Sequence, residues 1–78
     1  MYIYNEIMSN NNSRSVIGKN LKKIRQQKGI SQDRLSKLSD LSLNTVVTIE
    51  SGANPNPTID TLSKIAKALG VGVDDLIK

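Results

Sequence analysis

Two short runs within residues 31–52 constrain the fold of this 78-residue chain more than any other feature. Each run begins at a serine, Ser31 or Ser42, and its apolar residues recur three or four positions apart. That spacing places them on one face of a helix, and serine is a favoured residue at the position just before a helix. Gly52 follows the second run, where helices commonly end. The pattern predicts two short helices joined by a tight turn.

Three further helices are predicted around this pair. Ile17, Leu21 and Ile24 share one face of a first helix over residues 15–28, and Gly29 lies beyond its end. Residues 53–57 contain two prolines and two asparagines and are predicted to form a loop.

The second half of the chain predicts the remaining two helices. Thr58 precedes the fourth helix, Gly70 follows it, and a last turn or two comes after Gly70. The predicted fold class is therefore all-α, a compact five-helix domain over residues 15–78. Residues 1–14 are predicted to be a flexible N-terminal tail, because Asn10, Asn11 and Asn12 flanked by serines will not hold a helix.

The predicted core is aliphatic, because the chain has no Phe or Trp and both tyrosines lie in the tail. Helical periodicity assigns the following residues to the interior: Leu35, Leu38, Leu41, Val46, Ile49, Ile59, Leu62, Ile65, Ala66, Leu69, Val71 and Val73. Leu76 and Ile77 remain, and we predict that they form the dimer interface. Tyr2 and Tyr4 are a second candidate for contact with a partner subunit.

Positive charge is concentrated in one part of the chain. Residues 14–37 contain eight basic residues and one acid, a net charge of +7, although the whole chain carries only +4. A basic half beside a mildly acidic half is typical of proteins that bind a polyanion, although a solvated helix face is an equally good explanation when the charges are taken alone. The basic residues lie beside two predicted helices joined by a tight turn, which is the layout of a helix-turn-helix. That position favours DNA as the polyanion.

The absence of two residue types excludes several chemistries. Without cysteine there is no disulfide and no thiolate metal site, and without histidine the commonest general base and zinc ligand are missing. The serines therefore have no base partner, and no Gly-rich phosphate loop occurs. We therefore expect that the protein is not an enzyme and has no metal or cofactor site. We also expect no small-molecule ligand and no membrane association, and a cytoplasmic location in a prokaryote or phage.

Residues 17–76 resemble the lambda-repressor-like, or Cro/C1-type (XRE), helix-turn-helix domain. The segments that carry the resemblance are Leu21 to Arg25, Gly29 to Gln32, Leu35, Ser42 to Gly52, Thr58–Ile59 and Leu69 to Val71. They occur in the family's order over about sixty residues, without insertions. The resemblance implies a five-helix domain that binds double-stranded DNA as a homodimer and regulates transcription, most often as a repressor.

The resemblance also assigns roles to individual residues. The expected base contacts come from the helix after Ser42 and are Leu43, Asn44, Val47 and Thr48. Gln32 is expected to contact a phosphate. The charge and polarity of the chain add further expected phosphate contacts, which are Lys37, Thr45, Asn54 and Lys19, with Lys22 and Arg14 as other candidates. Gln32 is also expected to buttress the recognition helix, and Arg25 and Glu50 are expected to bridge the first helix to the third.

The chain departs from the family pattern at several positions. Ser36 stands where alanine is usual, and Asp40 stands in the turn where glycine is usual. The reading surface, residues 43–51, has no Arg, Lys or Gln, so the commonest contact to guanine is missing. Asn44 suits adenine, and Leu43 and Val47 suit thymine methyl groups, which predicts half-sites rich in A·T pairs.

Two alternatives to a repressor remain open from the sequence. One is an antitoxin that regulates its own operon, which requires a toxin partner. The other is a protein-interaction module of the same fold without DNA binding, which the low polarity of the reading surface favours and the basic bias of residues 14–37 opposes.

Overall fold

The computed structural model describes residues 16–78, so the predicted tail, with Tyr2, Tyr4 and Arg14, lies outside the described residues. Five helices follow one another: α1 (residues 16–27), α2 (Gln32–Ser39), α3 (Leu43–Ser51), α4 (Ile59–Leu69) and α5 (Val73–Ile77). No strand occurs within residues 16–78. The all-α, five-helix prediction is therefore confirmed.

The starts of α2, α3 and α4 confirm the predicted capping residues. The hydroxyl oxygens of Ser31, Ser42 and Thr58 each accept a hydrogen bond from the backbone N–H three residues later, at 3.0, 3.0 and 3.1 Å. Each bond satisfies one of the N–H groups that the first turn of a helix leaves without a partner. The caps therefore fix where the two helices of the helix-turn-helix begin.

Three helices end in one common arrangement. A residue in the left-handed conformation follows the helix, and the residue after it is apolar and packs on the core. The backbone N–H groups of both residues donate hydrogen bonds to carbonyls of the last helical turn. The three pairs are Gly29–Ile30, Asp40–Leu41 and Gly70–Val71. Each helix end therefore turns an apolar side chain inward, as predicted for Leu41.

Asp40 is the one residue other than glycine with a positive φ within residues 16–78, at φ 59° and ψ 38°. A side chain in this conformation is strained, although Asp tolerates it better than most residues. We expect Asp40→Gly to raise the free energy of unfolding by about 0.5–1 kcal/mol, because it removes that strain. Urea unfolding followed by circular dichroism measures the change, with Asp40→Ala as the control that keeps the strain. A glycine variant less stable than the alanine variant would contradict this account.

Nine buried residues form the core, to which α1 to α5 all contribute. They are Leu21, Leu35, Val46, Ile49, Leu62, Ile65, Ala66, Leu69 and Leu76. α2 packs on both α3 and α4, and α5 packs on α4. The helix-turn-helix is thus held against a base made by α4 and α5.

Two predicted core residues are exposed, so these predictions were wrong. α2 buries the side that carries Leu35, Ser36 and Ser39, and Leu38 lies outside that buried side. Ile59 is the first residue of α4 and is 72% exposed, because the buried residues of that helix begin one turn later, at Leu62. Ser36 and Ser39 fit inside because their hydroxyls donate to the carbonyls of Asp33 and Leu35, at 2.6 and 2.7 Å.

The predicted dimer interface needs a correction as well. Leu76 is fully buried in the core, so it cannot present a surface to a partner subunit. The reason is that α5 turns its single buried position back onto the domain, while Val71 and Val73 are only half-buried against the core. Ile77, the next residue, is exposed and remains the α5 candidate.

None of the helices among residues 16–78 combines the length and the apolar character that a membrane crossing requires.

Candidate nucleic-acid interface

The outer face of α3 is the surface that the helix-turn-helix presents. Val46 and Ile49 point into the core, whereas Leu43 is 44% exposed, Val47 is 37% exposed and Asn44 is exposed. Thr48, the fourth predicted base-contacting residue, is half-buried. Helical geometry places Asn44 near the middle of the exposed side, with Leu43 and Val47 on one flank and Thr48 on the other.

Most hydroxyl groups of this face bond within the helix itself. The Thr48 hydroxyl donates to the Asn44 carbonyl at 2.8 Å, and the Ser51 hydroxyl donates to the Thr48 carbonyl at 3.1 Å. The hydroxyls of Thr45 and Ser42 lie 2.8 Å apart in a hydrogen bond. Among residues 16–78, by contrast, no side chain or carbonyl holds the Asn44 amide in a hydrogen bond. Asn44 is therefore the side chain on this face with free donors and a free acceptor.

Arg25 and Glu50 join α1 to α3 from below the exposed face. Arg25 Nε donates to Glu50 Oε2 at 2.6 Å, and Nη2 donates to Oε1 at 3.0 Å. The two side chains are only 10% and 4% exposed, so the pair is shielded from water and salt. Arg25 Nη1 also donates to the carbonyl of Ile30, at 2.7 Å. The two-pronged contact fixes the orientation of α3 on the domain.

Electrostatics favour the charged form of Arg25. The hydrogen bond to Glu50, reinforced by the charge of that carboxylate, raises the pKa of Arg25 above its ordinary value, against the opposing effect of burial. Arg25 is therefore positively charged at any pH at which the protein functions.

Gln32 lies beside this pair at the start of α2. Its Nε2 donates to Glu50 Oε1 at 3.0 Å, so the structure places it as a buttress of α3. One N–H of the amide makes this contact, and the phosphate contact also expected of Gln32 stays a prediction.

The other expected phosphate-contacting residues are spread over α1, α2, α3 and the loop after α3. Lys19 is exposed on α1, and Lys37 is exposed on α2 with Nζ 3.1 Å from Asp33 Oδ2. Exposed pairs of this type contribute little to stability, so the contact with Asp33 does not commit Lys37. Thr45 and Asn54 are half-buried, and the Asn54 N–H donates to the Thr48 carbonyl at 3.0 Å.

Gly18 supports the interface, and its role was missed in the sequence. It is buried where α1 crosses the end of α3, and a Cβ atom there would collide with the carbonyl oxygen of Ile49 and lie 2.9 Å from that of Glu50. A glycine inside a predicted helix was the available signal, because glycine is unfavourable there unless a close approach requires it.

Asn20 is a second residue that was missed. Its Nδ2 donates to the carbonyls of Leu76, at 2.9 Å, and Lys78, at 3.2 Å, and so attaches α1 to the end of α5. No local pattern indicates this contact, because it joins residues more than fifty positions apart.

The arrangement, a short exposed helix of a five-helix domain held in place by a buried ion pair, defines a DNA-binding domain of the helix-turn-helix class. The sequence model of the Helix-turn-helix family matches residues 21–76, which is most of the chain. The protein belongs to this family, the Cro/C1-type helix-turn-helix proteins.

Named relatives and a solved structure agree with this assignment. The chain is 41% identical over 58 residues to the HTH-type transcriptional regulator PuuR of Escherichia coli, and 38% identical over 68 residues to the control protein C.BamHI of Bacillus amyloliquefaciens. The match covers 74% of this chain and 31% of PuuR, but 86% of this chain and 83% of C.BamHI. The chain thus spans about a third of the length of PuuR.

The solved structure is that of the restriction-modification controller protein C.AhdI from Aeromonas hydrophila. It superimposes with a TM-score of 0.77 at 32% identity, over 81% of this chain and 94% of that one. The whole described domain therefore has a counterpart in a protein that is little more than this domain.

Proposed function

We propose that this protein is a DNA-binding transcriptional regulator that inserts α3 into the major groove of double-stranded DNA. The observation that carries the proposal is the exposed outer face of α3, with the free amide of Asn44 at its centre, held at a fixed angle by the Arg25–Glu50 pair. Uncharged side chains on that face pair with base edges, while phosphate contacts from α1 and α2 supply affinity.

The charge of α1 supports this assignment. Lys19, Lys22 and Lys23 line a shallow groove along that helix together with Gln26 and Gln27. Cations that neutralise phosphates release bound counterions, which provides affinity that does not depend on sequence. The relatives that are named as a transcriptional regulator and as control proteins support the regulatory role.

We further propose that the protein acts as a homodimeric repressor. One recognition helix reads only a few base pairs, and proteins of this class gain specificity by binding two half-sites about 34 Å apart. Repression is the simpler consequence of binding, because a protein that occupies a promoter excludes other proteins without needing a second surface.

Asn44→Ala is expected to weaken binding to a selected site about tenfold and to relax the preference for adenine at one position of each half-site. Fluorescence anisotropy on the selected duplex and on its single-base variants measures both effects. Gln27→Ala removes an exposed amide from α1 and should leave sequence preference unchanged. Lys37→Ala should weaken binding to all sequences and lower the salt slope by about one. Unchanged sequence preference in Asn44→Ala would mean that α3 does not read bases there.

Ile77→Asp is expected to shift the protein from dimer to monomer, because Ile77 is the exposed apolar residue of α5, at 51% exposure. Sedimentation velocity measures the change, and circular dichroism checks that the variant is folded. Ile59→Asp is the matched control, since Ile59 is also an exposed isoleucine but lies at the start of α4. Dissociation of the Ile59 variant alone would place the interface away from α5.

A further inference from the structure

The exposed aliphatic side chains of α3 are not needed for the fold. Leu43 and Val47 lie one helical turn apart on the outer face, while Val46 and Ile49 already fill the core side of the same helix. Their exposure leaves a small apolar patch on the outer face of the reading helix, and an exposed apolar patch is one of the features that mark a binding surface.

The polar groups of the same face offer little else to a base. The hydroxyls of Thr48 and Ser51 donate to backbone carbonyls of α3 and are not available as donors to DNA. The one charged residue of α3, Glu50, is committed below the surface to Arg25 and Gln32. The Asn44 amide therefore remains as the group that can hydrogen-bond to a base, and the aliphatic side chains of Leu43 and Val47 lie beside it.

The major groove presents one apolar feature that distinguishes base pairs, the C5-methyl group of thymine. Side chains four residues apart on a helix have Cβ atoms about 5–6 Å from one another. Successive base pairs are about 3.4 Å apart, so this spacing corresponds to between one and two base steps. Leu43 and Val47 are therefore spaced to meet methyl groups on nearby base pairs.

We propose that α3 reads methyl groups in the major groove. Leu43 and Val47 contact the C5-methyl groups of two thymines, and Asn44 pairs with an adenine between or beside them. Because 5-methylcytosine carries its methyl group on the same ring carbon, the protein reads it as a partial substitute for thymine, so cytosine methylation changes the affinity for a site. This inference rests on the proposed insertion of α3 into DNA.

Replacement of thymine by deoxyuridine tests the proposal, since it removes only the methyl group. The full chain first selects its site from random duplexes, and each thymine of a half-site is then replaced singly. We expect the dissociation constant to rise about fourfold at one or two positions, the effect of losing one buried methyl, and to stay constant at the others.

Variants assign each methyl to a side chain. Val47→Ala should abolish the difference between thymine and deoxyuridine at one position, and Leu43→Ala should abolish it at the other. Ile59→Ala, which removes an exposed aliphatic side chain from α4, is the matched control and should keep both differences. At a position so assigned, cytosine should bind weakly and 5-methylcytosine should restore about fourfold of the lost affinity.

The outcomes separate this inference from the proposed function. A selected site that tolerates deoxyuridine at every position, or that contains no thymine near the Asn44 contact, overturns methyl readout and leaves DNA binding intact. Failure to select any duplex, by a protein shown to be folded, overturns both.

Discussion

Arg25→Met is expected to lower the free energy of unfolding by about 3–5 kcal/mol, because it leaves the Glu50 carboxylate buried without its countercharge. Methionine keeps much of the hydrocarbon stem but removes all three hydrogen bonds of the guanidinium, including the one to the Ile30 carbonyl. A domain of this length has about 4–12 kcal/mol of stability in total. We therefore expect the midpoint of thermal unfolding to fall by at least about 12 °C.

A double-mutant cycle separates the pair from the packing around it. Glu50→Leu alone should also be strongly destabilising, since it leaves Arg25 without a carboxylate. The double variant should lose less than the sum of the single losses, because an apolar pair removes both charges together. Urea unfolding followed by circular dichroism gives the three values.

Lys37→Met supplies the matched control for this prediction. Lys37 and Asp33 form an ion pair between two exposed side chains, so its loss should cost at most about 0.5 kcal/mol. Equal losses for Arg25→Met and Lys37→Met would mean that burial adds nothing to the α1–α3 pair and that α3 is held mainly by its apolar side.

Local sequence signals predicted the elements well, because each signal acts through its own backbone neighbourhood. The caps at Ser31, Ser42 and Thr58 and the left-handed positions at Gly29, Gly52 and Gly70 all depend on residues within one turn. Asp40 fits the same logic, since it has a left-handed backbone at the turn position where the family pattern usually has glycine.

The wrong predictions concern which residues of a helix its neighbouring helices cover. Periodicity puts Leu38 near Leu35, but it does not reveal that α2 buries its two serines beside Leu35 and leaves Leu38 exposed. Similarly, Leu76 and Ile77 are both apolar, and only the path of α5 decides that the first is core and the second is surface.

Contacts between distant residues were beyond the reach of sequence patterns. The Arg25–Glu50 bridge was expected only because a related fold places a pair there, and Asn20 had no such guide. Gly18 is a further residue of this kind, and its neighbour in α3 is backbone that no rotamer change can move.

Gly18→Ala is expected to lower the free energy of unfolding by about 2–3 kcal/mol, although the same change stabilises an ordinary helix by about 1 kcal/mol. The added methyl collides with the carbonyl oxygen of Ile49, so α1 must move away from α3 or α3 must shift. Either movement strains the Arg25–Glu50 bridge about two turns further along α1. Urea unfolding measures the loss of stability.

DNA affinity distinguishes displacement of α3 from a general loss of stability. Gly29→Ala is the control: it places a side chain at φ +70° with open space around it, so it costs about 1–2 kcal/mol in backbone strain without touching α3. At a temperature where both variants are fully folded, Gly18→Ala should bind the selected site at least about tenfold more weakly than wild type, because a recognition helix in the wrong position loses at least one base contact. Gly29→Ala should bind normally. A Gly18→Ala protein that is stabilised and binds normally would show that α1 has room to yield at this crossing, and that the angle of α3 is set by Arg25, Gln32 and the core alone.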